Sequence, residues 1–341
     1  MNKTYRIAVV GVTGLVGETA LALLAERGFP VSEVFALDVK TATGGRVGFK
    51  DAYLRVQDVA AFDFTRADLA LFCVDEALAA EHAPRAAAAG CVVIDDSAQF
   101  RLDEDVPLVV PEVNPQTLAG FNQRRIIANP NTGVTLMSLV LKPLHDAAGI
   151  ERINVCTYQA VSGTGKAAVD ELAGQSAAIF NMKPLKSRIY PKQIAFNVLP
   201  QIGELLDNGY TREEMKMLWE TRKVLAAPDL RVNATTVRVP VFYGHGLALH
   251  LETRDKLAAN DARRLLKKTA RMKVLDTGKT GGYPTPVTEA AGKDAVYVGR
   301  LREDHSHPRG LALWIVADNV RKGSALNGIQ IAEILVKDYL N

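Results

Sequence analysis

The sequence predicts an α/β chain in two parts, a doubly wound parallel sheet followed by an α+β domain, and three observations carry the prediction. Over roughly the first 130 residues, short β-branched apolar runs alternate with segments of helical period, the pattern of successive βαβ units. Glycines cluster at the first strand-to-helix turn, as in a Rossmann-type dinucleotide-binding domain. After Leu144 the apolar runs give way to alternation of apolar and polar residues, which suits a sheet with one exposed face.

Each element follows from the local pattern. "YRIAVVG" (Tyr5 to Gly11) reads as the first strand and "ETALALLAERG" (Glu18 to Gly28) as the first helix. "EVFALD", "LALFCV", "CVVIDD" and "RIIANP" read as further strands, and "DEALAAEHAPRAAAAG" as a helix closed by Gly90. In "IIANPNTGVTLMSLVLKPL" an apolar run meets an Asn-Pro-Asn turn from which a helix departs, with Thr132 at the apex. Thr132 is there either as a reacting group or as the hydroxyl that caps the helix. Beyond it, "RINVCTYQAVSG", "TTVRVPVFYG" and "LALHLET" read as strands. The stretch Val169 to Phe180 and "REEMKMLWETRKVL" read as helices, and the C-terminus as a last strand and a long closing helix. The expected organisation is a dinucleotide domain over 1–131, an α+β dimerisation domain over 132–318, and a C-terminal helix over 319–341 that returns to the first domain.

Bulk properties narrow the function. The 341 residues suffice for two cores, and a net charge of +3 argues against a nucleic-acid surface. No apolar run approaches the ~20 residues of a bilayer span, so no membrane association is expected. The N-terminus enters a strand at once, and the 3 cysteines, Cys73, Cys91 and Cys156, are widely spaced and odd in number. A reduced cytoplasm is the expected setting. "EDHSHPRG" reads as a solvated loop, and no metal site is expected.

Several motifs point to a site. Gly11, Gly14 and Gly17 flank Thr13, Leu15 and Val16, where the backbone can approach a pyrophosphate and a helix N-terminus offers N–H donors. Asp38 ends the second strand, where an acid bonds ribose hydroxyls and disfavours a 2′-phosphate. Lys40 and Thr41, close by, are alternative holders of that phosphate, so NADP and NAD both stay open. "QAVSGTG" is a small-residue loop after a strand. Within that strand Gln159 and Cys156, three apart, face opposite sides. Glu213 and Lys216 form an i,i+3 pair. Arg238 and His245, seven apart, lie on opposite faces of a straight strand unless Pro240 and Gly244 bend it.

These segments, with "FRLDEDVPLVVPEVN", "IIANPN", "YQAVSGTGK", "PKQIAFNVLPQIG", "REEMK", "VRVPVFYGH", "YPTPV", "YVGRLR" and "WIVADNVRKGSALN", resemble aspartate-semialdehyde dehydrogenase over nearly the whole chain. The resemblance implies an NADP-dependent reductive dephosphorylation of aspartyl phosphate to aspartate semialdehyde, toward lysine, methionine and threonine, by a homodimer. In that family a Cys thiolate takes the acyl group as a thioester, which hydride then releases as the aldehyde. The implied phosphate holders are Arg101, Lys216 and Asn131. Arg238 would bind the substrate carboxylate and Glu213 its amine, Gln159 would position the reacting group, and His245 would be the acid/base. Gly11 to Gly17, Ser162, Gly163 and Asn319 would contact the cofactor.

The chain departs from that pattern around its chemistry. Thr132 stands where the family nucleophile follows Asn-Pro-Asn, and a hydroxyl ionises far less readily than a thiol. Capping is the role expected of it. Cys73-Val74-Asp75-Glu76 replaces a Ser-Ala-Gly-Gly run, Asp96 replaces an Asn, and Asp38 a Ser. Together these suggest a divergent, Usg-type paralogue. Two readings follow: a semialdehyde dehydrogenase, or a catalytically silent ligand-binding or partner-regulating paralogue. Cys73 is a candidate substitute thiol, set against the simpler reading of a small buried residue at a strand end.

Overall fold

The computed structural model describes residues 3–340. The chain divides into two compact units, Met1–Asn131 with Ser324–Asn341, and Thr132–Gly323.

The first unit is built on a six-stranded, wholly parallel sheet. Its strands are β1 (Tyr5–Val10), β2 (Val31–Asp38), β5 (Gln57–Asp58), β6 (Leu69–Phe72), β7 (Val92–Asp95) and β8 (Ile126–Ala128). Their order is β5-β2-β1-β6-β7-β8. A hairpin, β3 (Arg46–Phe49) with β4 (Ala52–Arg55), interrupts the path from β2 to β5. Helices α1 (Leu15–Glu26) and α2 (Glu76–Ala88) link parallel neighbours. The strand order reverses between β1 and β6, the topological switch point where doubly wound sheets bind ligands outside their carboxyl ends. Strands β6, β7 and β8, nearly all of β1 and the second half of β2 are buried on both faces, which is why they read as unbroken apolar runs rather than alternating ones. Helix α1 starts at Leu15, three residues before the expected segment, because the glycine turn ends at Gly14 and the next residue is already helical.

The second unit opens with α3 (Thr132–Ala148) and β9 (Ile150–Gln159). There follow α4 (Lys166–Phe180), α5 (Arg212–Leu225), β10 (Arg231–Arg238), β11 (His245–Thr253), α6 (Ala259–Lys268), β12 (Met272–Val274), β13 (Val296–Glu303) and β14 (Gly310–Ala317). Its mixed sheet has the order β10-β9-β11-β14-β13-β12, with β9 parallel to β10 and antiparallel to β11. Helix α3 packs across β9, β11 and β14, and α5 across β10. The alternation in β9 is the mark of that one-sided cover: Val155, Thr157 and Gln159 are buried, while Tyr158 faces out. Tyr158 packs against Trp314 at 5.6 Å between ring centroids.

One strand expectation is corrected. "TTVRVPVFYG" is a strand only as far as Arg238. Strand β10 stops at Arg238, and β11 begins at His245. Pro240 has no N–H to give a ladder, and Gly244 turns the chain at φ +90°, where a Cβ would lie 2.7 Å from the Pro286 carbonyl oxygen.

The chain's last helix, α7 (Leu326–Ile334), belongs with the first unit, where Leu326, Ile329 and Ile331 join the apolar core around β1, β6 and β7. The return falls at Ser324. Asn319 stays with the second unit, tied to Ser162 and Gly244.

Candidate active site

In the first unit the glycine turn is a close-packed device. Gly11 sits at φ +77°, and a Cβ there would lie 2.3 Å from the Cys73 carbonyl oxygen, so β1 and β6 approach at the switch point only because residue 11 has no side chain. A Cβ on Gly17 would lie 2.3 Å from the Gly11 oxygen, which seats α1 against the turn. Gly14 is the N-cap of α1 and offers no capping side chain. The first-turn N–H groups of Leu15, Val16 and Gly17 therefore have no intrahelical acceptor, and the helix dipole is positive there. Asp38 is fastened to this turn: its Oδ2 accepts from the Thr13 N–H at 3.0 Å and the Thr13 hydroxyl at 2.7 Å, and its Oδ1 from the Val39 N–H at 2.8 Å. Lys40 and Thr41 are exposed on a short helical turn just beyond.

A buried polar cluster lies along the ends of β6, β7 and β8. Asp96 Oδ1 accepts from Asn129 Nδ2 at 2.5 Å and Oδ2 from the Ser324 hydroxyl. Arg101, itself buried, donates from Nη2 to the Asp96 carbonyl at 2.8 Å. Burial raises the Asp96 pKa above the usual carboxylate range, and burial pushes Asp95 up to about 6 although the Ser97 hydroxyl donates to it at 2.6 Å. The same burial, with Asp96 and Asp95 nearby, holds the Cys73 thiol well above its ordinary value. A thiol so placed favours the protonated form, which speaks for the simpler of the two readings of Cys73, a small residue at a strand end, over a substitute nucleophile. Asn131, also buried, ends the unit.

In the second unit, strand pairing assembles what sequence spacing keeps apart. Gln159 ends β9 and pairs in register with Arg238 at the end of β10, while His245 starts β11 on the other side. All three side chains are buried, at 4%, 5% and 3% exposure, and those of Arg238 and His245 meet beside the turn at Gly163. A Cβ on Gly163 would come within 2.9 Å of Arg238 Nη1 and 3.4 Å of His245 Nε2. Arg238 donates from Nη1 to the Ala160 carbonyl at 2.7 Å, and its buried Nε makes no hydrogen bond. The Ala160 N–H donates to His245 Nδ1 at 3.2 Å, so the neutral ring carries its proton on Nε2. Burial first, and the Arg238 charge second, depress His245 to about 3, so it is a neutral N–H donor at physiological pH. Gln159 donates to Glu213 Oε1 at 3.1 Å. Glu213 and the half-buried Lys216 stand on α5, whose start is fixed by a reciprocal Thr211–Glu214 capping box. Asn319 accepts from the Gly244 N–H at 2.9 Å and donates to the Ser162 hydroxyl at 2.9 Å, tying the approach to His245 to the small-residue loop.

Thr132 is the first residue of α3, so the capping position falls one residue earlier, on Asn131, and the expectation that Thr132 is the cap is corrected. Its methyl packs on Gly323, where a Cβ would lie 2.5 Å from Thr132 Cγ2 and 3.4 Å from its hydroxyl. Sequence reasoning overlooks Gly323 and the wholly buried Lys322; in the polar run Asp318-Asn319-Val320-Arg321-Lys322 nothing marks the lysine as buried. Among the described residues no group of three or more His, Cys, Asp or Glu could hold a metal ion, and no helix is long and apolar enough to cross a membrane.

Two family descriptions match the chain: "Semialdehyde dehydrogenase, NAD binding domain" over residues 6–121 and "Semialdehyde dehydrogenase, dimerisation domain" over residues 141–322. The aspartate-semialdehyde dehydrogenase of Legionella pneumophila is 51% identical over 340 residues, covering 100% of this chain and 98% of that one. That of Shewanella violacea is 50% identical over 339 residues, covering 99% and 100%. Among solved structures, aspartate semialdehyde dehydrogenase II from Vibrio cholerae complexed with ASA superposes with a TM-score of 0.97 at 51% identity, over 99% of this chain and 100% of that one. A probable aspartate-semialdehyde dehydrogenase from Pseudomonas aeruginosa gives 0.94 at 36% identity, over 99% and 100%.

Proposed function

The chain belongs to the aspartate-semialdehyde dehydrogenase family, and on that premise we propose that it works on the family's reaction, L-aspartate 4-semialdehyde + phosphate + NADP (or NAD) ⇌ L-4-aspartyl phosphate + NADPH (or NADH) + H⁺. The observation that carries this reading is the convergence of Gln159, Arg238 and His245, with Glu213 behind Gln159, on one end of the second sheet. A small dianionic amino acid needs a fixed cation for its carboxylate and an acceptor for its ammonium, and Arg238 and Glu213 are of those types. Gln159 is assigned to positioning the reacting carbonyl. Lys216, Arg101 and Asn131 keep the phosphate role that the resemblance gives them. The glycine turn, with Ser162, Gly163 and Asn319, is assigned to the dinucleotide. Gly11, Gly17 and the uncapped start of α1 fit that group, because a side chain at either glycine would break the turn that exposes the N–H donors. The dinucleotide, when bound, supplies or accepts the hydride. His245, neutral and protonated on Nε2, donates a hydrogen bond to the carbonyl oxygen as negative charge gathers there.

Thr132 occupies the nucleophile position, and His245 so protonated is a donor rather than a base for its hydroxyl. That supports a second reading, a site that binds these ligands with little or no turnover. The assay is phosphate-dependent oxidation of aspartate semialdehyde by the wild type and by Thr132→Cys. We expect Thr132→Cys to be faster by at least about 100-fold, since a thiolate is available near neutrality and an alkoxide is not. Wild-type turnover equal to the variant's would show that Thr132 does not limit the reaction. Ligand binding without wild-type turnover would select the second reading, and absence of both binding and turnover in both proteins would overturn the proposal. The face of the second sheet bearing Tyr158 and Trp314 is assigned to homodimer formation and the chain to the cytoplasm.

A further inference from the structure

We propose that the first unit selects a dinucleotide whose adenosine 2′-hydroxyl is free, NAD over NADP, and that Asp38 makes the selection with Asp58 beside it. The inference rests on the dinucleotide role proposed above and concerns the adenosine end alone.

Asp38 is the last residue of β2, next to the turn that follows β1, where the ribose of a dinucleotide lies in a doubly wound sheet. An acid at a strand end is often a mobile turn residue that can swing away from an incoming anion. This one cannot. Three donors hold it, the Thr13 N–H and hydroxyl on Oδ2 and the Val39 N–H on Oδ1, and it is largely buried. Because Thr13 lies between Gly11 and Gly14, the carboxylate is locked to the same loop that would carry the pyrophosphate. A carboxylate accepts about four hydrogen bonds, so the three in place leave capacity for a ribose hydroxyl, with Oδ1 the less occupied oxygen.

The neighbouring strand adds a second acid. Asp58 ends β5 and pairs in parallel register with Asp38, so the two side chains leave the sheet on the same side. Asp58 Oδ1 accepts from the Ala60 N–H at 3.0 Å, which orders it too. A 2′-phosphate would therefore meet two carboxylates set by the backbone. Lys40 is the adjacent cation in sequence, and it stands exposed in solvent, where screening weakens it. A 2′-hydroxyl, by contrast, is a donor that the fixed Asp38 oxygen accepts without rearrangement.

The test is direct binding, independent of turnover. Dissociation constants for NADH and NADPH are measured by titration calorimetry on the wild type, Asp38→Asn and Asp58→Asn, with thermal melts to verify folding. We expect the wild type to bind NADH at least about 50-fold more tightly than NADPH. Asp38→Asn keeps an acceptor for Thr13 and loses the charge, and should bring the ratio within about 5-fold, mainly by tightening NADPH. Asp58→Asn should lower the ratio by a smaller factor. NADPH bound as tightly as NADH by the wild type, or an unchanged ratio in Asp38→Asn, would overturn this inference and leave the dinucleotide role standing. Binding of neither dinucleotide by a folded wild type would overturn both.

Discussion

The buried acids of the first unit and the buried cation of the second are held in opposite ways. Asp96 sits in a closed ring of donors, Asn129 on one oxygen and Ser324 on the other, and Asn129 is itself braced by Asn327 at 2.6 Å. Arg238 is more deeply buried than Asp96, yet its Nε makes no hydrogen bond, and burial lowers its pKa. Desolvating a guanidinium without meeting all its donors costs stability, and folds keep such a group where a ligand completes it. The acids of the first unit belong to the scaffold. The cation of the second keeps a buried donor with no hydrogen bond, as the proposed carboxylate-binding role would require.

The sharpest way to break that contrast is to remove each group and compare stability with binding. Arg238→Met keeps the length of the stem and removes the charge. It should weaken binding of aspartate semialdehyde by about 1000-fold, or roughly 4 kcal/mol, while the melting temperature stays level or rises. A lowered melting temperature with binding intact would place Arg238 in the scaffold instead. Asp96→Ala should do the reverse, stranding Asn129 and Ser324 and lowering unfolding free energy by about 3 kcal/mol. Chemical denaturation checks it, and an undiminished midpoint would dissolve the contrast from the other side.

A smaller effect comes from pH. Burial lifts Asp95 from 3.8 to about 6, so between those values the folded protein holds a proton that the unfolded chain has released. The Asp95 contribution to stability therefore falls as pH rises through that window. Between pH near 5 and pH near 7 that contribution should fall by about 1 kcal/mol, read as the change with pH in the stability difference between the wild type and Asp95→Asn. His245 moves the other way, since its depressed value leaves it neutral across the same range, and its ring should show no titration there by NMR.

Much of the first unit was legible because its signals are local. Unbroken apolar strands, glycines at a strand-to-helix turn and an acid one strand later each declare themselves within a short window. The helix "REEMKMLWETRKVL" was equally legible, its capping box and basic last turn written into the sequence. Where reading failed, the reason was geometric. In "VRVPVFYGH" the placing of Arg238 and His245 stayed open, since a straight strand sets them on opposite faces and Pro240 and Gly244 show in the sequence only as permission to bend. Assigning Thr132 the cap missed by one residue, since Asn131 satisfies the same preference.

By itself the sequence determined the parallel sheet, the glycine turn and the residue types available for binding, since backbone geometry and side-chain period act over a few residues. Tertiary structure alone decided which of those residues meet. Strand pairing set Gln159 beside Arg238 and Asp38 beside Asp58, and the Ala160 N–H chose which nitrogen of His245 keeps its proton. Such neighbours come from different strands of a sheet, and hydrogen-bond register between strands is a property of the folded chain that no local window contains.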